Sequence, residues 1–279
     1  NYLKIIHNTL DVSKQKLDII NVKKSVGMAD AVEILQAQTD VNSAEQLLEL
    51  QKMAVEQTKS DLLLLISSKS NKPFSVTDSI LVDESLKLDS IINYLHKNPL
   101  YLSAEQQILI NKQIVKEVSA QRYPSVKLNA GYDFYQANLN KGNITMNQNF
   151  GPTAGINMQI PIFNGNIYKT QKDVAKIRVE NSMLEKDRLQ SSLSTQAIKL
   201  YRSYSTTIQQ IGLQRENFKM TRQLVDVVMQ QFQVSQATIL DVRAAQTSFE
   251  TAAYLLVNLL YSAKVSEIEL KQLTFSLQY

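Results

Sequence analysis

From Ile239 onward, apolar or small residues recur at Ile239, Val242, Phe249, Ala253, Leu256, Leu260 and Ala263, with Gln246 the one polar exception. This three-four spacing is a coiled-coil seam, a stripe buried against a neighbouring helix. Upstream, Ile167 to about Gln231 contains no proline and a single glycine, Gly212. It predicts one helix of roughly 60 residues, close to 90 Å at 1.5 Å per residue. Phe232 to Thr238 must then reverse the chain if the two helices pack as a hairpin.

After Pro124 the period changes from three-four to two. Val126, Leu128, Ala130, Tyr132 and Phe134 alternate with Lys127, Asn129, Gly131, Asp133 and Tyr135, which predicts a strand with one apolar face. Thr153 to Ile160 repeats the pattern, with Ile156, Met158 and Ile160 against Gly155, Asn157 and Gln159, after a polar loop from Gln136 to Gly151. The two strands should form a hairpin. About ten alternating residues match the ~9 to 11 that a tilted strand needs to cross a bilayer, with Tyr132, Phe134 and Phe163 placed for its interfaces. The competing reading is a hairpin whose apolar face packs on soluble protein. Two strands cannot close a barrel, and lipid does not tolerate an open edge, so the membrane reading requires strands from other chains or other sequence.

The remaining punctuation divides the chain. All five prolines lie between Pro73 and Pro161, so residues 1–72 and 162–279 read as helical flanks. The expected divisions are a helical hairpin arm at 1–67, a loop-rich insertion at 68–99, a helix at 100–123, the β-hairpin at 124–165 and a long helical hairpin at 166–279. Within the insertion, Ser67-Ser68-Lys69-Ser70-Asn71-Lys72-Pro73 reads as loop and Ser90 to Lys97 as a short helix. Tyr101 to Gln121 should be helical and stop before Tyr123-Pro124.

The chain also resembles itself at an offset of 208 residues. Val26 to Thr39 lies over Val234 to Thr247 without a gap, with identities at Val26/Val234, Ala29/Ala237, Ala37/Ala245, Gln38/Gln246 and Thr39/Thr247. They continue at Ala44/Ala252, Leu47/Leu255 and Leu48/Leu256. A period this long is not that of a solenoid, whose units run to about 20–50 residues, and it reads as duplication of a half-molecule. The first reversal carries Gly27, suited to a left-handed backbone, where the second carries Ser235.

Composition removes several classes. The formal charge of +4 comes from scattered residues whose densest pair is Lys23-Lys24, so no basic stripe marks a nucleic-acid partner. There is no cysteine, which excludes disulfides and thiolate chemistry in this chain. His7 and His96 stand far apart and outside any ligand-spaced cluster, and Gly151 and Gly155 flank Pro152 rather than opening a helix as a phosphate loop would. No enzyme, cofactor or metal site is therefore expected. No run approaches the ~18 to 20 apolar residues of a spanning helix. No signal-peptide pattern opens the chain, and its start reads as internal.

Three stretches carry a family resemblance. Gln121-Arg-Tyr-Pro-Ser-Val-Lys-Leu-Asn-Ala-Gly-Tyr132 is similar to the helix-to-strand passage of the outer-membrane efflux proteins, the TolC family. Gln159-Ile-Pro-Ile-Phe-Asn-Gly165 resembles that family's Pro-Leu-Phe-Asp-Gly exit into the next helix, and the two repeat segments resemble its helix-hairpin tips. The resemblance implies a mainly α fold with a β-hairpin: long antiparallel coiled-coil helices of a periplasmic α-barrel, plus strands contributing to a trimeric transmembrane β-barrel in the outer membrane. It implies a homotrimer of twelve strands, with roughly 150 residues of each chain lying upstream of this sequence by the duplication. A periplasmic adaptor protein and an inner-membrane transporter would be the partners, and the cargo small molecules such as drugs and toxic compounds, or proteins. A soluble coiled-coil scaffold or adhesin stalk is the alternative.

The resemblance also assigns residues. Asp241 matches an entrance aspartate, while the often-acidic position three residues later is Ala244 here, and Phe232 stands where an aromatic gate residue is common. Glu33 is the counterpart of Asp241 in the repeat. An acidic constriction and ordinary solvated carboxylates both remain open for this pair. Adaptor contact is implied for Gly27, Met28, Ala29, Ser235, Gln236 and Ala237, against plain interhelical turns. Val126, Leu128, Tyr132, Phe134, Ile156, Met158 and Ile160 are the expected lipid-facing side chains.

Overall fold

The computed structural model describes residues 2–66, 74–76, 79–137 and 147–276. The loop expected at Ser67 to Pro73 lies outside them. In chain order the elements are α1 (Tyr2–Ser25), α2 (Ala31–Leu65), α3 (Leu88–Tyr94) with a 3-10 turn at Leu95–Lys97, and α4 (Pro99–Ala120). They continue with β1 (Ser125–Ala137), β2 (Asn147–Gln159), α5 (Ile167–Gln233) and α6 (Ile239–Leu273). No described helix is long and apolar enough to cross a membrane.

Two compact units result. One holds residues 1–92 and 196–279, the other residues 93–195, and α5 contributes to both. In the first unit α1 packs on α2 and α6. Its core gathers Ile20, Ala37, Val225, Met229, Phe232, Ile239, Val242, Ala245 and Phe249 from four helices. The three-four seam of α6 supplies Ile239, Val242 and Phe249 to this core, and further along the same seam Ala253 and Ala263 are also buried. An extended segment before α3 is fastened to the same unit by Glu267. This carboxylate, 1 % exposed, accepts from the Asp83 N–H at 2.9 Å, Lys264 at 2.8 Å and Lys271 at 2.7 Å. Three donors replace the water it has lost, as burial of a charge requires.

In the second unit, Asn111 of α4 donates to Ser182 of α5, and the Lys186 ammonium lies 5.7 Å from the Tyr101 ring centre. α4 begins at Pro99, two residues earlier than expected. Proline at the first helical position lacks only an N–H that would have no partner there, and Asn98 caps the end by accepting from the Leu100 N–H at 2.9 Å. The passage from strand to α5 uses two consecutive left-handed residues, Gly165 (φ 61°) and Asn166 (φ 68°), residue types that adopt that region at least cost.

β1 and β2 form a two-stranded antiparallel sheet from Ser125↔Gln159 to Ala137↔Asn147. β2 therefore begins within the stretch expected to be polar loop. Asn147 to Gly151 have no apolar alternation, but they lie opposite Asp133 to Ala137, and ladder bonds satisfy the backbone whatever the side chains are.

Candidate functional site

Both helix reversals are built from the backbone outward. At the first, the Gly27 N–H donates to the Lys24 carbonyl at 3.0 Å and the Met28 N–H to the Lys23 carbonyl at 2.8 Å. At the second, the Ser235 N–H donates to the Phe232 carbonyl at 3.2 Å and the Gln236 N–H to the Gln231 carbonyl at 2.8 Å. These are the paired bonds of a Schellman cap, which requires one left-handed residue, supplied by Gly27 (φ 76°) and Ser235 (φ 63°). Three residues on, each chain re-enters a helix under a side-chain cap. Asp30 accepts from the Glu33 N–H at 2.8 Å, and Thr238 Oγ1 from the Asp241 N–H at 3.2 Å. Every one of these positions maps onto its counterpart 208 residues away, so the duplication read from side chains recurs in backbone geometry.

The acidic candidates have distinct local duties. Asp241 is exposed and closes a capping box, its Oδ2 accepting from the Thr238 N–H at 2.8 Å and hydroxyl at 2.7 Å. The Thr238 backbone bond, then its hydroxyl, hold the Asp241 carboxyl below the usual aspartate value. A fixed negative charge results at the start of α6. Glu33 is half-buried at the first turn of α2, where Asp30, not Glu33, supplies the cap. The two acids thus occupy equivalent places without equivalent bonds.

Phe232 is not presented at an open surface. It is 3 % exposed in the helical core, with the Lys23 ammonium 4.1 Å from its ring centre and donating to its carbonyl at 2.5 Å. Lys23 belongs to the first reversal and Phe232 to the second, so this cation–π contact ties the two together. Of the other tip residues, Gly27, Met28, Ser235 and Gln236 are exposed, and Ala29 and Ala237 are partly covered. The first reversal also exposes Val22, Val26, Val32 and Leu35.

One group escaped the reading of the sequence. Lys16 is 0 % exposed and donates to Asp40 at 2.5 Å and to Gln246 Oε1 at 3.3 Å. Gln246 Nε2 donates to Ser13 at 3.3 Å, and Arg243 donates to Asp40 at 2.8 Å. The polar break in the α6 seam is therefore the acceptor for a buried lysine. The signal was present in α1, whose buried positions Ile6, Leu10, Ser13, Lys16 and Ile20 follow three-four spacing and place Lys16 on the inner stripe. Burial raises the nearby Glu250 carboxyl, Asp40 adds to this, and the Thr9 hydroxyl and Lys16 partly offset it.

The hairpin's register sorts its side chains by character except at the end away from the helices, where Gln136↔Gln148 falls on the apolar face and Tyr135 on the polar one. One face pairs Val126↔Met158, Leu128↔Ile156, Ala130↔Ala154, Tyr132↔Pro152 and Phe134↔Phe150. The other pairs Ser125↔Gln159, Lys127↔Asn157, Asn129↔Gly155, Gly131↔Thr153, Asp133↔Gly151 and Tyr135↔Asn149. Val126, Leu128, Tyr132, Phe134, Ile156 and Met158 are all more than 60 % exposed, so nothing among the described residues covers the apolar face. Ile160, one residue past the ladder, is 56 % exposed. Phe150 belongs to this face and was missed because it sits in the stretch expected to be loop.

The family described as outer membrane efflux protein matches residues 92–274 of this sequence. The chain belongs to that family. As an outer membrane efflux protein it is a protein of the outer membrane, its helices extending into the periplasm. The cation efflux system protein CusC of Escherichia coli K12 is 24 % identical over 274 residues, which is 96 % of this chain and 59 % of that protein. Among solved structures, CusC superposes with a TM-score of 0.71 at 20 % identity, over 98 % of this chain and 63 % of that one. VceC from Vibrio cholerae gives 0.68 at 19 % identity (98 % and 65 %), and the Campylobacter jejuni CmeC outer membrane channel 0.68 at 17 % (99 % and 58 %). These structures share the mainly helical fold with its β-hairpin. The chain spans about three-fifths of the length of these relatives. Neither the family description nor these relatives' names denote an enzyme.

Proposed function

We propose that the protein containing this chain is a passive outer-membrane duct without catalytic activity. Three copies, each adding the hairpin described here to a second one from the remainder of the relatives' length, close a twelve-stranded barrel continued by the helices. The observation that carries this is the hairpin, one face apolar from Val126↔Met158 to Phe134↔Phe150 and uncovered among the described residues, the other mainly polar, with two strands that have no further neighbour among those residues. Lipid against the first face, water against the second and other strands at both edges would satisfy all three surfaces at once.

At the other end, the reversals bearing Gly27, Met28, Ala29, Ser235, Gln236 and Ala237 meet a periplasmic adaptor that couples the duct to an inner-membrane transporter. Asp241 and Glu33 supply acidic charge at the entrance, and Phe232, locked under Lys23, holds the reversals in place. The cargo is small molecules or proteins, with cations a natural class given the name of the CusC relatives. Single-channel recording of the full-length protein in planar bilayers tests this reading. Stable conductance whose cation preference weakens in Asp241→Ala is expected. Stable conductance indifferent to that change discards Asp241 as an entrance residue, and a folded oligomer that never conducts discards the duct.

A further inference from the structure

The polar face of the hairpin carries two charges, and they stand at different levels. Lys127 lies two residues into β1, near the helical end, opposite Asn157; Asp133 lies six residues further on, opposite Gly151. Neither has a counter-charge across the ladder, and neither takes part in an ion pair among the described residues. Six residues at ~3.4 Å separate them by roughly 20 Å along the strand. A strand tilt of about 40° leaves roughly 15 Å along a barrel axis, twice the ~8 Å screening length of physiological salt. The two levels act as separate fields.

The neighbours on this face sharpen the point. Gly131, Gly151 and Gly155 all lie on it, two of them beside Asp133. None has a left-handed backbone, and a Cβ built on Gly151 or Gly155 would meet nothing within 4 Å. The chain's own packing therefore does not require glycine at 151 or 155, whereas a Cβ at Gly131 would lie 3.3 Å from Thr153 Oγ1. Both charged side chains stand over small or neutral neighbours.

We infer that Lys127 and Asp133 are selectivity residues of the barrel lumen, forming a cationic tier towards the helical duct and an anionic tier towards the exterior. The inference rests on the duct reading, which turns this face inward and repeats each charge in every copy. A solute leaving the helices meets positive potential first and negative potential second, so each tier disfavours ions of its own sign and the pair together gives only weak net preference.

Reversal potentials of the full-length protein in a potassium chloride gradient test it. Lys127→Glu should shift the permeability ratio towards cations and Asp133→Lys towards anions, each by roughly two-fold or more. This chain has no cysteine, and against an unaltered full-length protein whose current the thiol reagent leaves unchanged, or one with any outside cysteine replaced by serine, Lys127→Cys, Asp133→Cys and Leu128→Cys provide a second readout. A charged, membrane-impermeant thiol reagent should modify the first two and change their current, and leave Leu128→Cys untouched. Channels whose permeability ratio ignores both charge reversals, or a reagent that reaches position 128 and not 127 and 133, overturn the inference and leave the duct standing. Absence of any channel from the unaltered protein overturns the duct reading and this assignment with it.

Discussion

Offset by 208 residues, the two helix reversals bond through the same backbone atoms, yet the side chains around them are sorted differently. Gly27 and Ser235 share a left-handed turn, and Asp30 and Thr238 share a cap. Lys16, however, is fully buried where its counterpart Leu224 is 45 % exposed, and Gln246 is buried where Gln38 faces solvent. Asp40 anchors an ion cluster, while Ser248 at the equivalent position only bonds back to its own helix. Duplication preserved the path of the chain. It could not preserve burial, because each hairpin became the other's neighbour and the two inner faces had to be complementary, not identical.

The largest test of that asymmetry is at position 40. Asp40→Ala leaves the buried Lys16 ammonium without its carboxylate and with only Gln246 as acceptor, at about 3 kcal/mol. Ser248→Ala should stay within about 0.5 kcal/mol, as surface changes do. Thermal or denaturant loss of helical circular dichroism for the two variants decides it, and equal effects would remove the distinction between the halves. Phe232→Ala is expected to cost a comparable 3–5 kcal/mol by leaving a cavity under Lys23, whereas Lys24→Ala, at the equivalent and exposed position, should be nearly silent.

Smaller effects probe what the halves share. Thr238→Ala removes the cap of α6 and should cost about 1 kcal/mol. Exchanging the left-handed residues should give opposite signs: Ser235→Gly stabilises by roughly 0.5–1 kcal/mol and Gly27→Ser destabilises by a similar amount. Denaturation midpoints read both, and a stabilised Gly27→Ser would contradict the shared geometry.

The smallest difference lies in pH response. Glu250 is raised in the folded state, so the fold binds its proton more tightly than the unfolded chain. Stability from this group is present below the ordinary glutamate value of 4.5 and is lost as pH rises through the raised value. Asp241 is lowered, so its contribution is present above the ordinary aspartate value of 3.8 and is lost as pH falls through the lowered one. Melting temperature against pH should therefore lose the decline above 4.5 in Glu250→Gln and the acid-side fall below 3.8 in Asp241→Asn. Each curve is compared with that of the unaltered protein.

Much of this architecture was legible in the sequence because single periods carry it. Three-four spacing located the α6 seam, two-residue spacing located β1, and the lack of helix breakers marked α5 as one long helix, expected at roughly 60 residues and observed at 67. Asn147 to Gly151 were misread because strand pairing answers to the partner strand, not to local pattern. Lys16 was passed over because its burial is decided by Asp40 and Gln246 on two other helices, neither close to it in sequence. Phe232 stands where the family pattern has an aromatic gate residue, and its burial follows from four helices packing around Val225 and Met229, which no local pattern conveys. Residues whose role depends on one element were readable; those whose role depends on three were not.

The thirteen-residue strands of the hairpin have one further consequence, which concerns kinetics. On the proposed duct reading, a hairpin entering lipid alone would carry two edges of bare amides and carbonyls, so membrane entry and association would proceed as one concerted event. The rate of barrel formation should then rise more steeply than linearly with protomer concentration. Dilution would trap chains whose helices are already formed while their strands wait for company.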